Sequence, residues 1–153
     1  MTKEDKKNAY LYCKFRDEQF ALYDEYAKRN GMMMKTLLVV NVLFYAKEGI
    51  TQKEISQRTF QSKQTVNLII RNLLTEGYVT VTEVPENKRN KIVQMTDAGR
   101  AYCERIVRHI TWAEDTAMSM FTPAEQKQLI DLSRTFTRNL TRLVNQEMEE
   151  SAE

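Results

Sequence analysis

With 153 residues, 42% of them hydrophobic and 29% charged, the chain is long enough to bury a core within a single domain. Four Gly and two Pro argue against a sandwich of short strands, a flexible linker or a disordered tail, and favour long helices. Lys and Arg number 23 against 21 Asp and Glu, so the net charge of +2 names no partner and only its distribution can.

The elements follow in chain order. Residues 6–29 place Leu11, Phe15, Leu22 and Tyr26 at helical spacing, with Phe20, Tyr23 and Ala27 alongside, and Asn30 and Gly31 supply a stop. Residues 33–47 are apolar nearly all round, which predicts a buried central helix closed by Gly49. Thr51 and Glu54 make a capping box that opens a short helix to about Arg58. Ser62 starts another helix, with Val66, Ile69, Ile70, Leu73 and Leu74 inward, ending at Gly77.

The pattern then changes. Residues 78–84 are β-branched and alternating, residues 85–90 form a polar turn, and residues 91–95 make a second strand, giving one hairpin too small to stand alone. Thr96 and Asp97 cap a long helix to Met120, striped by Tyr102, Ile106, Ile110, Ala113, Ala117 and Met120. Thr122, Pro123 and Glu125 repeat the capping box for a last helix carrying Leu129, Leu132, Phe136, Leu140 and Leu143. No internal repeat or low-complexity segment interrupts this order.

Cys13 and Cys103 are too far apart for a zinc spacing or a disulfide framework, and the single histidine, His109, excludes a multi-histidine metal site. No cofactor, metal or catalytic residue is expected: there is no nucleophile elbow, no Gly-rich phosphate loop and no His-based dyad. The N-terminal MTKEDKK leads into no apolar segment, which predicts no signal peptide, and the apolar stretch 32–46 is too short to cross a bilayer and holds Lys35 and Asn41. The expectation is a reduced, cytoplasmic protein without a membrane partner.

Charge is unevenly spread. Residues 51–100 carry eight basic and five acidic side chains, whereas residues 101–153 carry six and nine. Residues 55–75 contain no acid, only Arg58, Lys63 and Arg71. A short helix, a tight turn and a longer helix with an acid-free outer face is a helix-turn-helix pattern. Outside the inner stripe lie Ser62, Lys63, Gln64, Thr65 and Asn67, with Arg71 one turn on. Gln and Asn can bond adenine bidentately, Lys can reach guanine, and Ser and Thr can hold phosphate at the positive helix end. The alternative for these residues is an N-cap and a solvated face. The hairpin that follows has Lys88, Arg89 and Lys91 about its tip, and an Arg on such a projection can enter a narrow minor groove.

Residues 51–99 resemble the winged helix of the MarR family of bacterial transcription regulators. The resemblance rests on the SKQTV start at Ser62, the LLxxGYV exit at Leu73 to Val79, the wing tip and the closing MTDAG at Met95 to Gly99. It implies a mainly α fold with a small β-hairpin wing: a single MarR-like domain over 1–153, with dimerisation helices at 6–31 and 97–148 around a winged helix-turn-helix at 33–96. It further implies a homodimeric, sequence-specific regulator of double-stranded DNA, expected to be a repressor at a pseudo-palindromic operator and released by a small aromatic effector. Ser62 and Thr65 would then hold phosphate, Lys63, Gln64 and Asn67 would face bases, and Arg71 would contact backbone. Arg89, flanked by Lys88 and Lys91, would enter the minor groove.

One departure concerns the wing. The family places Asp before its wing arginine, whereas Asn87 stands there in this chain, able to accept a hydrogen bond but not to form an ion pair. Some relatives sense peroxide through a first-helix cysteine held by tyrosines. Cys13 lies on the same helix as Tyr10, Tyr12, Tyr23 and Tyr26, but Asp17 occupies the position where those relatives have Tyr. Two other readings therefore stand: a protein-interaction module without specific DNA binding, and a thiol-based redox regulator acting through Cys13. His109 and Trp112 are expected to pack or lie at the surface.

Overall fold

The computed structural model describes residues 1–84 and 86–150, without the side chains of residues 87–90 and 147–150. The order is α1 (Lys3–Arg29), α2 (Met34–Tyr45), β1 (Ile50–Thr51), α3 (Gln52–Thr59), α4 (Lys63–Thr75), β2 (Val79–Val84), β3 (Asn87–Met95), α5 (Asp97–Ser119) and α6 (Pro123–Glu150). By internal contacts the chain divides into two units, residues 1–109 and 110–153.

The first unit is built around α2. Leu37, Val39, Val40, Leu43 and Phe44 of this helix are buried together with Ile55 of α3, Val66, Ile69, Ile70 and Leu73 of α4, and Cys103, Ile106 and Val107 of α5. Each such aliphatic side chain removed from water stabilises the fold by about 1.5–3 kcal/mol. The core therefore joins the helix-turn-helix to its neighbours as one body. Phe44 also carries two guanidinium groups on its ring, Arg100 at 4.7 Å and Arg108 at 5.6 Å from the centroid, contacts favoured by the ring quadrupole.

The helices begin where their caps dictate. Thr51 Oγ1 accepts from the Glu54 N–H at 3.2 Å while the Glu54 carboxylate accepts from the Thr51 N–H at 3.0 Å. Thr2 and Asp5 form a further capping box, so α1 starts three residues before the predicted position. In the second unit Thr122 and Glu125 cap α6, with Pro123 as its first residue.

The sheet departs from a lone hairpin. β1 adds an antiparallel third strand in the order β1-β3-β2, pairing Ile50 with Val93 and Thr51 with Ile92. Two residues ahead of a capped helix carry no strand periodicity, so only the pairing reveals them. The turn is also shorter than the predicted 85–90, because β3 begins at Asn87. Its register jumps from Glu83 opposite Lys91 to Val84 opposite Asn87, an irregularity at the wing tip.

Four positions of the predicted stripes are corrected. Leu74 is 47% exposed, since α4 turns its buried stripe no further than Leu73. On α5 the buried stripe is Cys103, Ile106, Val107 and Ile110, while Tyr102 and Ala117, and Met120 just past its end, are exposed. Tyr102 instead stacks on Tyr78, the centroids 4.5 Å apart, which uses its ring at the rim of the core.

Candidate nucleic-acid interface

α4 is made to present one face. Ser62 ends the turn in an extended conformation and its Oγ accepts from the Thr65 N–H at 3.1 Å, fixing where the helix starts. Val66, Ile69, Ile70 and Leu73 then anchor the inner side. Gln64, Asn67 and Arg71 recur at three- and four-residue steps and are exposed, as are Ser62 and Lys63. At 13 residues the helix is roughly 20 Å long, enough to lie along a major groove.

Its first turn holds no acid, so nothing offsets the positive end of the helix dipole. The Ser62 and Thr65 hydroxyls lie 2.9 Å apart, either able to donate to the other. One of the two protons is used in that bond and the other is left for an anion. Thr65 is half-buried, more withdrawn than its neighbours.

The exit from α4 is tied to the entry of α5. Thr96 Oγ1 donates to the Gly77 carbonyl at 2.7 Å, the Thr96 N–H donates to the Tyr78 carbonyl at 3.0 Å, and the Gly99 N–H donates to Thr96 Oγ1 at 3.0 Å. Both ends of the hairpin are thus fixed to the recognition-type helix and to α5. A helix-turn-helix followed immediately by a sheet hairpin anchored in this way is a winged helix.

Residues 37–90 match the model of the MarR family. Over these residues, from α2 to the wing, the chain is similar to the MarR family.

Solved structures of the same fold include NMB1585, a MarR family regulator from Neisseria meningitidis, at 16% identity and a TM-score of 0.74, covering 96% of this chain and 99% of that one. AbsC, a MarR family transcriptional regulator from Streptomyces coelicolor, superposes with a TM-score of 0.77 at 12% identity, over 92% and 97% of the two chains. The MepR–DNA complex of Staphylococcus aureus does so at 0.67 and 20% identity, over 89% and 97%. Comparison with curated protein sequences gave no match.

The winged helix exposes Lys63, Gln64, Asn67 and Arg71 on α4, with Ser62 at its N-cap. Lys91 is exposed on β3 but stands across from Glu83, which offsets its charge locally. Lys88 and Arg89 lie on β3 by backbone, and their side chains fall outside the described residues. Two exposed apolar residues went unread in the sequence. Leu68 shares the outer face of α4, 56% exposed, and Phe60 stands in the turn before it, 95% exposed. Leu68 sits one position off the predicted inner stripe, so helical phase could have flagged it. Phe60 follows no period.

Cys13 is half-buried on α1, and Cys103 is buried on α5. Tyr23 and Tyr26 lie about 15 and 20 Å along α1 from Cys13, so only Tyr10 and Tyr12 are on its own turns. Tyr26 instead donates to the Ile106 carbonyl at 2.8 Å and stacks on His109 at 5.7 Å. Cys103 is buried against Met95, and burial pushes its thiol up to about 11. Among the described residues no group of three or more His, Cys, Asp and Glu could hold a metal ion, and no helix is long and apolar enough to cross a membrane.

The same unit holds a cavity of about 680 Å³ where the end of α1 meets α2, α4 and the start of β2. Met32, Met33, Tyr78 and Tyr102 supply its apolar wall, and Lys28 and Glu76 bring charge of both signs.

Proposed function

We propose that the chain is a homodimeric, sequence-specific DNA-binding transcription repressor. The observation that carries this reading is the acid-free outer face of α4, where Lys63, Gln64, Asn67 and Arg71 stand exposed on a helix held rigidly by its inner stripe. Lys63, Gln64 and Asn67 face base edges, the Ser62 and Thr65 hydroxyls meet phosphate, and Arg71 contacts the backbone one turn on. Arg89, with Lys88 and Lys91, takes the wing into the minor groove. MepR of Staphylococcus aureus, which shares this fold, is solved in complex with DNA, and that supports DNA as the partner.

Dimerisation is supported by apolar surface on the terminal helices. On α1, Phe15, Phe20 and Leu22 are each more than half exposed, and on α6 so are Leu132 and Leu143. Such surface is costly to leave in water, and a second copy is the simplest cover. A two-fold axis would present two recognition helices about 34 Å apart, hence an inverted-repeat operator. The cavity lined by Met32, Tyr78 and Tyr102 has the size and apolar wall for a small aromatic effector.

Selection of random duplex DNA by the purified protein at two salt concentrations tests the reading. Enrichment of an inverted repeat with half-sites one turn apart is the expected result. Retention at low salt without any motif would favour a protein-binding winged helix, with Leu68 and its neighbours as the docking face.

A further inference from the structure

The turn between α3 and α4 contains the one residue other than glycine with positive φ among the described residues. Phe60 sits at φ 53 and ψ 32, left-handed backbone in which a bulky side chain is disfavoured. Its ring is 95% exposed. Neither feature helps the chain fold, since Gly or Asn would relieve the backbone and a polar side chain would suit water.

The turn is nevertheless held in this shape from both sides. The Phe60 N–H donates to the Ser56 carbonyl, and the Ser56 hydroxyl donates to the Gln61 carbonyl. The Gln61 side-chain amide donates to the Lys35 carbonyl of α2 at 3.1 Å. Gln61 is thereby fastened to the body of the winged helix, and the residue before it is left standing clear. Two positions later Ser62 caps α4, within a stretch, residues 55–75, that has no acid.

An exposed ring beside the positive end of a helix, among hydroxyls, amides and cations, suits a polyanion that also offers apolar surface. Duplex DNA is such a partner: deoxyribose faces and thymine methyl groups border the phosphates that a helix N-terminus holds. Resting on the reading of α4 as the recognition helix, we infer that Phe60 belongs to the DNA-contacting surface. Its ring packs on deoxyribose and a thymine methyl next to the phosphate bound at Ser62, and extends readout beyond the helix itself.

The test uses Phe60→Gly and Phe60→Asn, both suited to left-handed backbone, on the duplex that the wild-type protein selects. Both variants are expected to unfold at no lower denaturant concentration than wild type, yet to bind that duplex on the order of tenfold more weakly. The slope of log affinity against log salt should be unchanged, because no cation is lost. Folded variants that keep wild-type affinity would overturn the role of Phe60 and leave the interface reading in place. A wild-type protein that selects no duplex DNA would overturn both.

Discussion

A Cβ on Gly99 would lie 2.1 Å from the carbonyl oxygen of Tyr78. The first turn of α5 is therefore seated directly on the backbone where α4 ends and the wing begins. Thr96 spans the same junction through its hydroxyl and its N–H, so helix, hairpin and α5 share one joint. Gly99→Ala should force that joint apart, costing about 1–3 kcal/mol or more by overpacking. Urea unfolding measures this, and a variant as stable as wild type would show that α5 can shift freely.

Gln64 is exposed in the first turn of α4. Gln64→Ala should relax sequence preference, with a loss of about 1–3 kcal/mol confined to one base-pair position. Competition with single-base operator variants reads this out. Equal losses on every sequence would assign Gln64 to the backbone instead.

The wing has Asn87 where the family places Asp, so Arg89 lacks an ion-pair partner from that position. Arg89→Ala should weaken binding and make the salt dependence shallower by about one unit of slope. An unchanged slope would mean that this wing is not docked. Asn87→Asp should strengthen binding if fixing the guanidinium is what the family's acid does.

α6 leaves Leu132, Leu140, Leu143 and Val144 exposed along most of its length. Ending the chain after Met120 should give monomers or aggregates by sedimentation, since the proposed dimer would lose one of its two apolar helices while α1 stays uncovered. A well-behaved dimer from that truncation would move the interface to α1 alone.

The two thiols should differ sharply in reactivity. Cys103 is 1% exposed and its thiol is pushed up to about 11 by burial, so almost no thiolate exists at neutral pH. One cysteine, Cys13, should react with a thiol reagent in the native protein at pH 7.5, and the second only in denaturant. Two fast-reacting thiols would place Cys103 at the surface.

Much of this molecule was legible in its sequence because local chemistry decides it. Thr51 with Glu54, and Thr122 with Glu125, set helix starts through bonds closed within four residues. The inner stripe of α4 follows from its period, and the outer face of Ser62, Lys63, Gln64, Asn67 and Arg71 is what the period leaves over. The hairpin followed from the alternation of β-branched residues at 78–84, and the family resemblance named it a wing and brought the expectation of a dimer.

Tertiary structure decided the rest, because long-range geometry leaves no local trace. β1 exists only through its pairing with Val93 and Ile92, forty residues away. The rotation of α5 that buries Cys103 and Val107 and sends Tyr102 to stack on Tyr78 is set by the packing of α2 and β2, not by α5 itself. Phe60 is the clearest case. Ser56 closes its left-handed turn locally, but Gln61 fastens that turn to Lys35 of α2, a bond that exists only once the winged helix is folded.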